Sequence, residues 1–172
     1  TENQGKYQVV YLDFSKIGGK IEQLEENFNA YCNECLDSFI ETYQEYYPAR
    51  VVENVYKAAT AARKLNVIGI AAEKANLPLY LIVDEYDNFT NVVLNEQGEE
   101  VYTALTHASG FYREIFKVFK GMFAKIFMTG VSPVTLDDLT SGFNIGWHIS
   151  TKPVFNQMLG FSTEDVRELF TY

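Results

Sequence analysis

The chain has 172 residues, a length that suits one domain, or one domain and the start of another, with room for a proper core. Hydrophobic residues make up 47% of the sequence and charged residues 22%, ordinary values for a globular protein that argue against a disordered chain. The formal net charge of -9 disfavours a nucleic-acid or anionic-membrane surface, because phosphate contacts need clustered Lys and Arg. No apolar stretch approaches the roughly 18 to 20 residues that span a bilayer, so no membrane partner is expected.

The first half of the chain predicts one strand followed by two helices. Residues 7–14, YQVVYLDF, predict a buried strand because they are few, β-branched and aromatic. From Ile21 the apolar residues recur at intervals of three and four, which predicts an amphipathic helix that Pro48 ends. A second helix is predicted over about 51–74, where alanine is frequent and helix propensity is high.

The two cysteines, Cys32 and Cys35, form a single C-x-x-C on the apolar face of the first predicted helix. A zinc site would need a second cysteine pair or nearby histidines, and both histidines are distant in sequence. Packing in the core is therefore the favoured interpretation, with redox or metal chemistry as the alternative. Unpaired core thiols indicate a reducing compartment, so a cytoplasmic location is expected.

The second half predicts three more strands. Residues 79–84 predict a strand that begins after Pro78, since proline cannot donate to a central ladder. A helical stretch follows over about 99–121, and residues 124–129 predict a third short strand of the chain. Residues 145–150 are interpreted as a fourth. Strands separated by long helical segments pair in parallel through crossover connections, so the predicted class is α/β.

The chemistry is predicted at the carboxyl ends of these strands. The strands show little alternation of apolar and polar residues, which is typical of a parallel sheet covered on both faces. In such sheets ligands collect beyond the carboxyl ends of the strands. Asp84, Glu85 and Thr129 all stand at carboxyl ends, so we expect them to face the binding crevice.

The apolar run 79–83 leads directly into Asp84 and Glu85, which is the pattern of a Walker B element. In that interpretation Asp84 holds Mg²⁺, a hard cation that binds together with the nucleotide phosphates. Glu85 orients and deprotonates the attacking water. The alternative is that Asp84 caps the next helix and Glu85 is solvated. Asp87 could be a further metal ligand, but a solvated turn residue is the favoured interpretation.

Three segments together, LYLIVDEYDNF, IFMTGVSPVTLDDLTSGFN and MLGFSTEDVRELF, resemble the AAA-ATPase-like family of predicted bacterial ATPases. The resemblance runs from the first strand to the end of the chain. It implies a P-loop NTPase-like three-layer sandwich with a mostly parallel sheet of strand order 5-1-4-3-2. Residues 7–14, 79–84 and 124–129 would be its strands 2, 3 and 4, residues 145–150 would be strand 5, and strand 1 would be missing here.

The resemblance also implies roles for single residues. Asp84 and Glu85 match the Walker B acids, so Asp84 would bind Mg²⁺ with ATP and Glu85 would activate water. Thr129 occupies the strand end where relatives place a polar residue that senses the γ-phosphate. Residues 1–159 would form the AAA-ATPase-like core, and residues 160–172 would begin a helical lid. Family members often carry a C-terminal nuclease-like domain, which makes DNA an expected partner of the longer protein.

The sequence departs from the family at one motif. The Walker A motif, G-x-x-x-x-G-K-[ST], does not occur in it, and Gly18-Gly19-Lys20 has neither the spacing nor the following Ser or Thr. That loop's N–H groups and lysine form the cradle for the β- and γ-phosphates. We therefore expect an inactive fragment of an ATPase that binds neither ATP nor Mg²⁺ by itself. The alternative is a non-catalytic protein-interaction module on a degenerate NTPase scaffold.

Two expectations concern the edges of the predicted fold. Without strand 1, the strand 124–129 would be an open, apolar sheet edge, which attracts another chain. We expect it to pair with a second copy, as a dimer, or with the chain's own terminal segments. Near the C-terminus, Ser162 and Asp165 have the spacing of a capping box at a helix start.

Overall fold

The computed structural model describes residues 4–88, 93, 100, 103, 111–131, 149–150, 152–155, 158 and 160–170. The chain divides into two compact units, Thr1–Gly142 and Phe143–Tyr172. The boundary expected between residues 1–159 and 160–172 stays a prediction. Of the helices that the structure describes, none combines the length and the apolar character needed to cross a membrane.

The first unit is built on a parallel sheet. Its strands and helices are β1 (Gln8–Asp13), α1 (Leu24–Tyr43), α2 (Ala49–Lys57), α3 (Ala61–Lys74), β2 (Leu79–Asp84), α4 (Phe111–Met122) and β3 (Lys125–Met128). The strands lie in the order β1-β2-β3, and both pairings are parallel. The α/β class is therefore confirmed. The three strands are compatible with the run 2-3-4 of the expected order, while the full order of five strands stays a prediction.

The register of the sheet places the ends of the strands at one edge. Asp13 is the partner of Asp84 across β1 and β2, and Val83 is the partner of Met128 across β2 and β3. Because all three strands run in the same direction, their carboxyl ends lie side by side. Thr129, the first residue beyond β3, is consequently a neighbour of the end of β2.

One face of the sheet forms the main core. Val10 and Leu12 of β1 are buried with apolar residues of β2, α1, α3 and α4 in a single cluster. On the opposite face of β1, Val9 is 38% exposed and Tyr11 is 50% exposed. The expectation that both faces are covered is therefore wrong for β1, because the described helices join the core on the face of Val10 and Leu12.

Helix α1 lies along the outer edge of β1. The hydroxyl of Tyr31 accepts a hydrogen bond from the N–H of Asp13 (2.9 Å), and that of Tyr43 accepts one from the N–H of Val9 (3.2 Å). The N–H of Gln8 donates instead to the carbonyl that precedes β2 (3.1 Å). Along a strand, the backbone N–H groups of successive residues point alternately toward one neighbouring strand and toward the other. Because the N–H of Gln8 points toward β2, those of Val9 and Asp13 point away from β2. Two tyrosines of α1 thus supply partners for edge groups that a sheet leaves open.

The cysteines lie on the buried side of α1, as expected. Cys32 is fully buried and Cys35 is half-buried against the core, and both are free thiols. Burial raises the pKa of both thiols, since a thiolate is poorly solvated there. The prediction of core packing is confirmed.

The single helix expected over about 51–74 is in fact two helices. Thr60 stands at the start of α3, and its side chain accepts the N–H of Arg63 (3.4 Å). The side chain of Asn29, on α1, accepts the N–H of Ala61 (3.1 Å). Both bonds satisfy N–H groups that a helix start leaves without intrahelical partners. The break is therefore fixed by a cap and by a contact from α1, which helix propensity alone does not reveal.

Helix α3 ends in a turn that delivers the chain to β2. Asn76 has a φ of +54°, in the left-handed region, and its N–H donates to the carbonyl of Glu73 (3.0 Å). The N–H of Leu77 donates to the carbonyl of Ala72 (2.8 Å). This pair of bonds is a Schellman motif, in which asparagine is the usual substitute for glycine. Pro78 then prevents the helix from resuming.

The second unit contains α5 (Thr163–Leu169), and its capping box is confirmed. The N–H of Asp165 donates to the hydroxyl of Ser162 (3.1 Å), and the carboxylate of Asp165 accepts the N–H of Ser162 (2.7 Å). The hydrogen bond from the Ser162 side chain lowers the pKa of Asp165. Most of the strand expected over 145–150 lies outside the described residues, and the described Ile149 and Ser150 are not in a strand.

Candidate functional site

The end of β2 presents two carboxylates in different settings. Asp84, the last residue of the strand, is half-buried, and its Oδ1 accepts the N–H of Glu85 (3.1 Å). Glu85 is exposed and has a φ of +48°, in the left-handed region. A residue with a Cβ pays about 1 kcal/mol or more for this conformation and keeps it only where its surroundings impose it. The chain therefore turns sharply at the junction of the two acids.

The structure brings Thr129 and Asp84 together. The hydroxyl of Thr129 donates a hydrogen bond to Oδ1 of Asp84, and its N–H donates to the carbonyl of Val83 (2.9 Å). Glu85 remains apart from this pair: within the described residues its carboxylate has no hydrogen-bond or ion-pair partner. Of the three residues predicted for the site, two are in contact and the third stands exposed beside them.

Two further residues of β1 belong to the same edge. The hydroxyl of Tyr11 donates to Oδ2 of Asp84 over a long 3.5 Å, and Asp13 is the register partner of Asp84. Partial desolvation raises the pKa of Tyr11, and the charge of Asp84 adds to this effect. Sequence reasoning assigned neither residue to the site. Asp13 could have been found, because it ends an apolar strand as Asp84 does.

The carboxylate of Asp13 is held within its own turn. Its Oδ1 accepts the hydroxyl (2.6 Å) and the N–H (3.1 Å) of Ser15, and Lys16 lies 3.6 Å from Oδ2. The hydrogen bond from the Ser15 side chain is the main cause that lowers the pKa of Asp13. These contacts favour the charged form of Asp13, so two adjacent strand ends carry carboxylates.

Asp87 differs from its expected role as a solvated turn residue. Its side chain is completely buried, and Oδ1 accepts the N–H of Val131 (3.1 Å). The expectation was wrong because the segment after β3 covers Asp87, a contact between positions 44 residues apart. No cluster of three or more His, Cys, Asp or Glu residues suited to a metal ion occurs in the described part of the chain.

The family model described as "Predicted AAA-ATPase" (AAA-ATPase-like) matches residues 1–140, which include the three described strands and the three predicted site residues. The chain belongs to the predicted AAA-ATPase family. The resemblance carried by the strand-end motifs is thereby confirmed. No significant match was found among curated proteins or among solved structures.

The site of this AAA-ATPase-like chain can be tested for its fit to a magnesium ion. Oδ1 of Asp84 accepts hydrogen bonds from Thr129 and Glu85, whereas the only described contact of Oδ2 is the long one to Tyr11. A carboxylate has about four lone-pair sites, so Oδ2 keeps capacity for a metal ion or for its bound water. Mg²⁺ commonly uses one or two carboxylates together with substrate phosphates. The residues present fit such an ion.

Proposed function

We propose that this member of the predicted AAA-ATPase family hydrolyses ATP with Mg²⁺, and that Asp84, Glu85 and Thr129 form its Walker B side. One observation carries the proposal: the hydroxyl of Thr129 donates to Asp84 across adjacent parallel strands, with the exposed Glu85 next in the chain. This arrangement brings a carboxylate, an exposed second carboxylate and a hydroxyl donor to the edge where α/β sheets bind ligands, which supports the proposed roles.

The three residues have different tasks in this proposal. Asp84 would hold Mg²⁺, directly or through a coordinated water, and the ion would supply charge neutralisation for the phosphates. Glu85 accepts the proton of the attacking water, a role that suits a carboxylate with no partner among the described residues. Thr129 donates its hydroxyl to the γ-phosphate.

The role of Thr129 implies an exchange of partners. A threonine hydroxyl carries one proton, so it cannot donate to Asp84 and to a phosphate oxygen at the same time. When the γ-phosphate is present, the hydroxyl would leave Asp84, whose Oδ1 would then be free to accept another donor. In this way Thr129 couples the phosphate to the ion-binding acid.

The phosphate-binding loop lies elsewhere in this proposal. The 172 residues contain no G-x-x-x-x-G-K-[ST], so the proposal assigns that loop to a part of the protein outside this sequence. The sequence upstream in the encoding gene is therefore the first observation to make. An intact motif there supports the ATPase, whereas its absence supports a non-catalytic interaction module on the same scaffold.

The test is made on the full-length protein. Glu85→Gln removes the base but keeps the size of the side chain, so we expect ATP binding to persist and hydrolysis to fall roughly 10²- to 10⁴-fold. Asp84→Ala should weaken Mg²⁺-dependent binding as well. Phosphate release measures hydrolysis, and equilibrium binding of a fluorescent ATP analogue with and without Mg²⁺ measures the second effect.

A matched control separates the loss of the catalytic base from the loss of one negative charge. Glu73, at the exposed end of α3, allows the same replacement, and Glu73→Gln should leave both binding and hydrolysis unchanged. Wild-type turnover in both Glu85→Gln and Asp84→Ala would rule out the Walker B assignment.

A further inference from the structure

A buried carboxylate joins the segment after β2 to the segment after β3. Asp87 is completely buried, three residues beyond Asp84, and its Oδ1 accepts the N–H of Val131 (3.1 Å). Burial of a carboxylate is costly unless hydrogen-bond donors compensate it, so the position of the donor is part of what makes this burial tolerable. The side chain of Val131 itself is 87% exposed, so this contact is made by the backbone of the segment.

The residue between Thr129 and Val131 is packed too closely to carry a side chain. A Cβ on Gly130 would lie 2.5 Å from Cε1 of Tyr86 and 2.6 Å from Oδ1 of Asp87. Real Cβ atoms do not approach other atoms so closely, and only glycine allows such contact between backbone and side chain. The turn after β3 is therefore pressed directly onto Tyr86 and Asp87.

The backbone of Thr129 is held on both sides by the segment around Asp84. Its N–H donates to the carbonyl of Val83 (2.9 Å), and its carbonyl accepts the N–H of Tyr86 (3.0 Å). The hydroxyl of Tyr112, on α4, donates in turn to the carbonyl of Tyr86. These bonds and the Asp87 contact fix where the Thr129 side chain can lie.

We propose that Asp87 is a positioning residue of this site: by accepting the N–H of Val131, it holds Gly130 against Tyr86 and thereby fixes the backbone of Thr129, so that its side chain lies beside Asp84 at the end of β2. The catalytic consequence rests on the proposed ATPase function. Asp87 acts through Thr129 and has no task on the nucleotide itself. Loss of the contact moves Thr129 away from the position at which it meets the γ-phosphate.

The hydrogen bond can be removed from either side in the full-length protein. Asp87→Ala deletes the acceptor, and Val131→Pro deletes the donor at an exposed position. Each should lower kcat for ATP roughly 10- to 100-fold, because small misplacements of a catalytic group cost rates of this order. The KM for ATP should stay within about twofold, since the interaction lost acts in the transition state.

Three variants act as controls. Val131→Ala keeps the N–H and should retain wild-type kcat. Asp87→Asn keeps an oxygen acceptor and should recover most of the activity that Asp87→Ala loses. Val55→Ala, which removes buried apolar atoms from α2 far along the chain, should lower thermal stability and leave kcat unchanged.

A double variant tests the route through Thr129. If Asp87 acts only by placing the Thr129 hydroxyl, Asp87→Ala should add almost nothing to the kcat loss of Thr129→Val. Independent losses that multiply in the double variant would overturn the proposal, as would wild-type kcat in Val131→Pro. The test does not depend on the folding of Asp87→Ala, because Val131→Pro removes the same hydrogen bond at an exposed position.

The failure of this inference is distinct from failure of the proposed function. Loss of hydrolysis in Glu85→Gln together with normal kcat in Val131→Pro would overturn the positioning role alone. Absence of ATP hydrolysis in the full-length wild-type protein would overturn the ATPase assignment itself, and normal hydrolysis in Glu85→Gln would overturn the assignment of Glu85 as the base. Amide hydrogen exchange at Val131, faster in Asp87→Ala than in Asp87→Asn, would support the contact without reference to activity, and equal rates would overturn it.

Discussion

Glu85 combines an exposed carboxylate with a left-handed backbone, two features that stability alone does not favour. The residue follows Asp84 at the end of β2, and its φ of +48° is one that glycine or asparagine adopts more easily. Strain of this kind tends to be kept where function needs a particular side chain. At Glu85, the residue that would give the highest stability therefore differs from the residue that the proposed chemistry needs, and the difference in stability can be measured.

A pair of substitutions measures this strain. Glu85→Gly should be more stable than Glu85→Ala by about 1 kcal/mol, because alanine keeps the Cβ that disfavours positive φ. Urea unfolding of the two variants gives the difference directly, and any change in exposed charge is common to both. Equal midpoints, or a more stable alanine variant, would contradict the assigned backbone conformation. Both variants should lack ATP hydrolysis in the full-length protein.

Sequence reasoning predicted where single residues lie in the sheet when the evidence was local, while their roles stay predictions. Asp84 and Glu85 follow an apolar strand, and the structure places Asp84 beside Thr129 as the parallel-sheet rule predicts. Asp87 could not be assigned in this way, because its burial depends on Val131 of a distant segment. The polarity of a residue predicts its exposure only when no other part of the chain covers it.

At the scale of the elements, the helical region between β1 and β2 depends on caps and tertiary contacts more than on propensity. Its alanine-rich sequence is uniformly compatible with helix, yet α2 and α3 are separate because Thr60 starts a new helix and Asn29 binds the N–H of Ala61. The amphipathic spacing of α1 was sufficient to predict α1. The break between α2 and α3 required knowledge of the neighbouring helix.

The cap of α3 gives a prediction at this scale. Thr60→Ala should lower the free energy of unfolding by about 1 kcal/mol, because the N–H of Arg63 loses its side-chain acceptor. Thr60→Ser keeps a hydroxyl and should stay within a few tenths of a kcal/mol of wild type. Urea denaturation followed by circular dichroism measures both. An unchanged midpoint with increased helix content in Thr60→Ala would instead indicate that α2 and α3 merge.

For the whole molecule, the sheet shows how far a pattern of strands and helices can predict a fold. The α/β class and the parallel pairing follow from strands separated by helices, and the structure confirms both. The partly exposed face of β1 was not predicted. A short run of apolar and aromatic residues occurs both in strands that are covered on one face and in strands that are covered on both, so the sequence does not distinguish them. The five-strand order came only from family resemblance.

A nucleotide-binding prediction belongs to this scale. Millimolar Mg·ATP should not change the Tm of the 172-residue chain, since no phosphate-binding loop is present in its sequence. A protein that also contains the loop should gain roughly 2.7 kcal/mol when ATP reaches 100 times its Kd, a shift of several degrees. Differential scanning fluorimetry compares the two. A clear shift in the shorter chain would show that it binds nucleotide without that loop.

The tyrosine hydroxyls along β1 restrict how copies of this sheet could join. Tyr31 and Tyr43 occupy N–H groups on the outer edge of β1, so a new strand there would have to displace α1. In the described residues, no strand pairs with the outer edge of β3. A head-to-tail fibre needs two accessible edges on every copy, whereas the described strands offer one. Strand addition would therefore stop at a closed pair related by a twofold axis, β3 against β3.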